Sequence, residues 1–227
     1  MIRFAAGPAA AAAVLLGAVA CGSGGSSATP AAPAPATLVR EVKAAIQHAS
    51  SVHVSGSITQ TGKQLGLDLS MTRAGELSGE LSASGAGFFV LSTHGSTYIK
   101  VTGAFLRYAH LSTTACTLMC GKYLKLTTSQ AQNMTGSLSM AALLGGTAKT
   151  SPHVRNVGTA TVNGQRAWVL RGSDGTTAYV AAQGTHYLLR LVPPGGKGRL
   201  DFTQWNAAKI PAPPPSSQVV DLSQLHG

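Results

Sequence analysis

Hydrophobic positions follow two different periods along this chain. Residues 38–49 place their apolar side chains on one helical stripe, and Thr37 stands where an N-cap would be. After this segment the period changes to two, because Val52, Val54 and Ile58 alternate with polar residues. The same alternation continues through residues 65–71, 77–91, 98–101, 105–108 and 123–126. It predicts a meander of antiparallel strands with one apolar and one polar face.

The alternation stops between residues 128 and 145. Residues 129–134 and 139–144 there have the pattern of two short helices, and Gly145-Gly146 is expected to end the second. Strand patterns resume in residues 154–162, 166–171, 176–182, 186–191, 198–204 and 219–222. Asn163-Gly164 lies between two of these strands and predicts a tight hairpin. The order predicts one α+β domain with a broad antiparallel sheet, helices against one face, and scope to curl into an incomplete barrel.

The N-terminal residues have the pattern of a secretory signal. The apolar run 8–20 follows Arg3 and is shorter than the roughly 20 residues that span a bilayer. Cys21 comes directly after small residues and precedes a Gly/Ser-rich stretch, which resembles a bacterial lipobox. Ordinary signal-peptidase cleavage after Ala20 is the alternative. The prediction is a signal peptide at 1–20, a tether at 21–37 and a single domain at 38–227.

The chain contains three cysteines. If Cys21 is the lipid attachment site, Cys116 and Cys120 remain as an even pair, and nearby cysteines outside the cytoplasm usually form a disulfide. A metal site is the alternative, but two thiolates need further ligands and no histidine pair accompanies them at ligand spacing. The spacing therefore favours a disulfide over a metal site. We expect no metal and no cofactor.

Composition narrows the classes of function. Seventeen basic and seven acidic residues give a net charge of +10, yet the basic residues are scattered and form no nucleic-acid motif. The Gly-x-Ser-x-Gly and Ser-x-x-Lys patterns of hydrolases are absent. Glu76 and Glu80 favour a solvated strand face over an acid/base pair. We therefore expect a protein that is not an enzyme.

The predicted sheet is large relative to the few short helices that could cover its apolar face. Such a sheet can leave an apolar cavity suited to an acyl chain; a core filled by aliphatic side chains is the alternative. Alternation gives ten candidate cavity residues, namely Val54, Leu67, Leu69, Phe89, Leu91, Ile99, Leu143, Leu144, Trp168 and Leu189. Trp168, Tyr179, Tyr187 and Trp205 could form a sugar- or base-stacking platform, although filling of the sheet's inner face and rim is favoured.

The overall layout resembles the LolA-like lipoproteins of the LppX/LprG type. The resemblance rests on Cys21 with its tether, the helix 38–49 leading into residues 51–56, the hairpin at 163–170, and residues 202–206, 210–215 and 219–222. It implies a half-barrel sheet wrapped over helices, with a hydrophobic cavity for lipids. Members of this group carry acylated lipids or lipoglycans across the cell envelope.

The expectation is therefore a monomeric, non-catalytic lipoprotein on the extracytoplasmic face of the bacterial membrane, anchored by acyl groups such as palmitate on Cys21. It would bind or carry a lipid or acylated glycolipid, and the basic excess would favour anionic headgroups at the cavity mouth. It would bind no nucleic acid. The alternative is a structural or protein-binding envelope lipoprotein without lipid cargo.

Overall fold

The structure is a computed structural model that describes residues 33–60, 62–108, 113–147 and 153–225. The predicted signal peptide, Cys21 and most of the predicted tether lie outside these residues. Within them, no helix is both long enough and apolar enough to cross a membrane.

The described residues contain five α-helices, three short 3₁₀ helices and twelve strands. The α-helices are α1 (Pro35–His48), α2 (Gly103–Tyr108), α3 (Thr113–Met119), α4 (Thr128–Ser137) and α5 (Met140–Thr147). The first strands are β1 (Ser51–Gln60), β2 (Lys63–Thr72), β3 (Leu77–Ala83), β4 (Ala86–Thr93), β5 (Ser96–Val101) and β6 (Tyr123–Lys125). The later strands are β7 (Val154–Val162), β8 (Gln165–Gly172), β9 (Thr177–Ala181), β10 (Leu188–Val192), β11 (Gly198–Thr203) and β12 (Val219–Asp221).

The twelve strands form one sheet in the order β12-β6-β5-β4-β3-β2-β1-β11-β10-β9-β8-β7. All neighbours are antiparallel except β12 and β6, which are parallel. The two meanders meet at the centre of the sheet, where β1 pairs with both β2 and β11. This confirms the predicted α+β class, a large open antiparallel sheet of the half-barrel type with few helices.

One face of the sheet carries the main core. Val54 pairs with Leu69 and with Phe202, and all three are almost fully buried on this face, which we call the inner face. Side chains of α1, α4 and α5 pack against it, among them Ile46 and Leu144. Each large aliphatic side chain buried in this way stabilises the fold by about 1.5–3 kcal/mol.

A smaller cluster covers the β4–β6 part of the sheet. Leu106 of α2 is buried there with Val101 and Leu124, and Cys116 and Cys120 pack beside them. A disulfide joins these two cysteines. The prediction of a strand at residues 105–108 is wrong, because this segment is α2. The Thr102 hydroxyl accepts a hydrogen bond from the Phe105 N–H at 3.1 Å and caps the helix.

Helix boundaries differ from the prediction at α1 and α5. Thr37 is not an N-cap: α1 begins at Pro35, and the Thr37 N–H donates to the Ala34 carbonyl at 2.9 Å. Proline favours the first helical turn because its φ is already helical and it has no N–H to satisfy. Residues 35–37 therefore belong to the helix and not to the tether. The predicted stop at Gly145-Gly146 is also wrong, since α5 continues to Thr147.

Two local backbone features fix the sheet. Asn163 and Gly164 have φ angles of 48° and 78°, the signature of the tight hairpin that the sequence predicted. Gly56 has a φ of 139° in the centre of β1, and a Cβ there would lie 2.2 Å from the Arg199 carbonyl oxygen. Only glycine therefore lets β1 and β11 approach this closely.

Candidate functional site

A cleft of about 550 Å³ opens between α1, α5 and the turn that joins β2 to β3. Aliphatic and thioether side chains form its walls, and two cations stand among its lining residues. The lining consists of Lys43, Ile46, Gln47, Thr72, Arg73, Gly75, Ser139, Met140, Ala141 and Leu144.

Arg73 fixes the wall of the cleft at the end of α1. Its Nε donates to the Ala49 carbonyl and its Nη2 to the Ile46 carbonyl, both at 2.8 Å. Its backbone N–H donates to the Ser50 carbonyl, also at 2.8 Å. The last carbonyls of a helix have no partner within the helix, so the guanidinium satisfies them and adds a positive charge at the negative end of the helix dipole.

The opposite wall is the start of α5. The Ser139 hydroxyl accepts a hydrogen bond from the Ala142 N–H at 3.1 Å and holds the first turn. Met140 and Leu144 are buried against the main core, whereas Ala141 is exposed and lines the cleft. The preceding helix α4 begins with a capping box in which Thr127 and Gln130 satisfy each other's backbone N–H groups.

The charged side chains that line the cleft are both basic. They are Lys43 and Arg73, and no carboxylate of the described residues is among the lining side chains. A separate apolar gap of about 50 Å³ lies under α1, where Val42 and Ile46 face Leu170 and Val180. The arrangement offers an apolar surface beneath a positive rim.

The structure separates the ten predicted cavity residues into three groups. Leu144 lines the cleft, and Leu143 packs beside it at the edge of the main core. Val54, Leu67, Leu69 and Ile99 lie on the inner face within the packed core, and Trp168 lies in a neighbouring buried cluster with Leu38. The remaining three are Phe89, Leu91 and Leu189.

Phe89, Leu91 and Leu189 lie on the opposite face of the sheet, which we call the outer face, so their assignment to the inner face is wrong. Val90 pairs with Gly79, which pairs with Leu69, and this register turns Phe89 and Leu91 outward. The strand is apolar at four consecutive positions, so alternation alone could not choose its face. Leu189 lies where the β9–β10 register shifts, and it packs in the outer-face cluster of Ala167 and Ala181.

The four aromatic residues of the predicted stacking platform do not come together. Trp168 is buried on the inner face against α1, whereas Tyr179 lies on the outer face beside Arg190. Tyr187 and Trp205 stack on each other with ring centroids 4.7 Å apart. The favoured interpretation, filling of the sheet's inner face and rim, describes Trp168, and Tyr187 and Trp205 also pack against the main core. It does not describe Tyr179, which lies on the outer face.

The described residues hold no group of three or more metal-ligating side chains. Glu76 and Glu80 do not act as a pair, because the Glu76 carboxylate accepts hydrogen bonds from the Thr93 hydroxyl and the His94 N–H. Sequence reasoning missed Lys43, Arg73 and Met140 as cleft residues. Lys43 and Met140 lie in predicted helices, but Arg73 lies in a turn whose position against α1 no local pattern reveals.

Comparison with solved structures identifies the architecture. LprF from Mycobacterium bovis superposes with a TM-score of 0.57 at 16% identity, over 81% of this chain and 100% of LprF. The chain has the LprF fold. The lipoprotein LppX from Mycobacterium tuberculosis matches with a TM-score of 0.47 at 15% identity, over 77% of this chain and 97% of LppX.

The resemblance to LppX/LprG-type lipoproteins is thus confirmed at the level of the LprF fold. No protein-family model matches the sequence, and no curated protein matches it. At these identities the likeness establishes architecture, and the chemistry has to be argued from the cleft itself.

Proposed function

We propose that this protein is a lipid-binding lipoprotein of the bacterial cell envelope, and that an acyl chain occupies the cleft between α1 and α5. The observation that carries the proposal is an apolar cleft, walled by Ile46, Met140 and Leu144, beneath a basic rim in the LprF fold. Its volume of about 550 Å³ lies in the usual range of small-ligand sites.

The driving force is removal of the chain's methylene groups from water. Each buried methylene contributes about 0.8 kcal/mol, so a partly inserted acyl chain gives useful affinity without polar contacts. The centre of the inner face is filled, because Val54, Leu69 and Phe202 are each at most 2% exposed. The site therefore accommodates a small amphiphile at the edge of a packed core.

The rim selects the headgroup. Lys43 and Arg73 stand at the cleft without a lining carboxylate, so a phosphate or carboxylate headgroup gains a charge-assisted contact there. The Arg73 guanidinium already donates to two carbonyls of α1 and is held in place by them. Lys43 is the more adaptable of the two cations.

The N-terminal assignments complete the proposal. Residues 1–20 act as the signal peptide, Cys21 is acylated at the extracytoplasmic membrane surface, and the following tether leads to a single lipid-binding domain. The domain is a monomer that carries its ligand without catalysis. The apolar run before Cys21 and the uncharged Gly/Ser/Pro-rich residues after it support this arrangement.

A matched pair of substitutions tests the cleft. Ala141 and Ala142 are adjacent, exposed residues of α5, but only Ala141 lines the cleft. We expect A141W to weaken uptake of a fluorescent C16 fatty acid at least tenfold, because the indole fills the space, and A142W to leave uptake unchanged. Equal uptake by both variants would contradict the placement of the lipid.

The filled centre of the inner face favours a second candidate, a structural or protein-binding envelope lipoprotein without lipid cargo. Native mass spectrometry of the domain purified from a bacterial envelope separates the two. A bound mass that leaves on denaturation and extracts into organic solvent supports the carrier. A bare protein that also fails to bind the fatty acid supports the second candidate.

A further inference from the structure

A second concave surface lies at one end of the sheet, where three chain segments meet. These segments are the β7–β8 turn, the β9–β10 loop and the residues that follow β11. The resulting groove has a volume of about 430 Å³. It is lined by Val162, Asn163, Gln165, Ala181, Gln183, Thr185, Tyr187, Leu189, Phe202, Thr203, Gln204 and Trp205.

The groove contains no charged side chain among its lining residues, in a protein of net charge +10. Amides and hydroxyls supply its polar groups, with Gln165, Gln183 and Thr185 exposed at the surface. Each amide both donates and accepts hydrogen bonds, so the groove matches a ligand that does the same at several positions. A free anion or cation finds no counter-charge there.

The aromatic part of the groove is held rigidly. Tyr187 and Trp205 lie parallel, with an angle of 9° between their rings. The Trp205 indole N–H donates to the Leu188 carbonyl at 2.9 Å, and the Asn206 amide donates to the Tyr187 hydroxyl at 2.7 Å. Both rings are therefore fixed before any ligand arrives, which reduces the entropy lost on binding.

The backbone around the groove is also unusual. Asn163, Gln204 and Asn206 have φ angles of 48°, 49° and 60°. Residues other than glycine adopt this region at a cost, and the surrounding structure has to hold them there. The Asn206 side chain provides part of this restraint, because its Oδ1 accepts the Ser50 N–H at 2.7 Å.

We propose that this groove binds a neutral carbohydrate. Sugars present hydroxyl groups that donate and accept hydrogen bonds, together with apolar C–H faces that suit an aromatic surface, and they carry no charge to be compensated. The uncharged amide-rich lining matches the hydroxyl groups, and the stacked rings of Tyr187, Trp205 and Phe202, which all line the groove, supply apolar surface for the C–H groups. The site is distinct from the lipid cleft, and its existence does not depend on the proposed lipid-binding function.

A glycan array that holds both neutral and acidic glycans gives the first test. We expect the full domain to bind neutral glycans, and the best array ligand then becomes the probe for titration. Binding of acidic glycans alone, or of no glycan, would overturn the proposal. Selective binding of uncharged peptides in a parallel peptide array, with no glycan bound, would replace it with a peptide site.

Substitution of exposed amides locates the binding. We expect Q165A and Q183A each to weaken the selected glycan about five- to tenfold, and Q132A, which changes an exposed amide of α4, to have no effect. A141W, which blocks the lipid cleft, is also expected to leave glycan binding unchanged. Equal weakening by Q132A, or no weakening by the groove variants, would refute the assignment to the groove.

The two tryptophans of the chain provide an internal readout. Trp205 lines the groove, whereas Trp168 is buried in the core. We expect the glycan to shift the Trp205 indole signal in NMR spectra and to leave the Trp168 signal in place, with W168F used only to assign the two. A shift confined to Trp168 would contradict the proposal even if the array shows binding.

Discussion

The cleft and the groove lie at the same end of the sheet, and they differ in both chemistry and construction. The cleft combines aliphatic side chains with two cations, and its walls are α1, α5 and the β2–β3 turn. The groove is amide-rich and aromatic without charged lining residues, and turns and loops build it. Residues 49–51 lie between them, since Ser50 accepts a hydrogen bond from Arg73 and donates one to Asn206.

The difference in construction indicates which of the two sites can adjust to its ligand. Helix α5 has eight residues, below the roughly 12–15 that an isolated helix needs, so packing of Met140 and Leu144 against the core holds it. The groove is fixed by hydrogen bonds to ring and backbone atoms. We therefore expect an adaptable cleft, suited to chains of different length, and a rigid, selective groove.

The substitution with the largest expected effect is G56A, which should disrupt both sites at once. G56A places a Cβ against the Arg199 carbonyl, at a backbone conformation that alanine rarely adopts. We expect a loss of at least about 3 kcal/mol in the free energy of unfolding, measured by urea denaturation. G62A is the control: its φ is also positive, but no atom lies within 4 Å, so a loss of only about 1 kcal/mol is expected.

Substitution of Arg73 is expected to affect the two sites differently. R73M removes two charge-assisted hydrogen bonds at the end of α1, and we expect a loss of about 1–2 kcal/mol in the free energy of unfolding because the residue is exposed. Fatty-acid binding is expected to weaken more than glycan binding. R155M, at an exposed position of β7, serves as the control in both assays. A larger loss at the groove than at the cleft would show that the Arg73 contacts are not specific to the cleft.

Lys43 gives a smaller effect that depends on the headgroup. We expect K43Q to weaken binding of an anionic fatty acid about three- to fivefold and to leave the matching neutral alcohol unchanged, because only the acid gains from the ammonium group. K209Q changes an exposed lysine away from the cleft lining and is the control. Equal losses for acid and alcohol would mean that the lysine stem, and not its charge, contributes.

The smallest expected effect is local to β12, which lines neither of the two sites. Hydrogen bonds from the Ser223 hydroxyl and N–H, and the Lys125 ammonium, lower the pKa of Asp221 from 3.8 to about 2. A carboxyl group with a lowered pKa stabilises the fold fully above its unfolded value, and this contribution is lost as pH falls through about 2. The protection factors of the β12 amides, which correct for the intrinsic pH dependence of exchange, should therefore fall over this range, and D221N should remove this fall.

The sequence predicted the parts of the fold that local chemistry determines. Alternation found most strands, and Asn163-Gly164 marked the hairpin because type I′ geometry needs left-handed residues. Alternation failed at residues 88–91, where apolar side chains occupy both faces, and at 105–108, where the Thr102 cap forms a helix. The two sites were the hardest to predict, because Arg73, Gln183 and Trp205 come together only through tertiary structure.

The pairing of β1 with β11 has a consequence for how the chain folds. Ser50 and Asn206, which lie beside this pair, are separated by 156 residues. Synthesis at about 5–20 residues per second leaves β1 as an unpaired edge for on the order of ten seconds before its partner is made. Such a long-range closure makes folding slow, and a chain truncated before β11 retains an open strand at the centre of its sheet, where aggregation begins most readily.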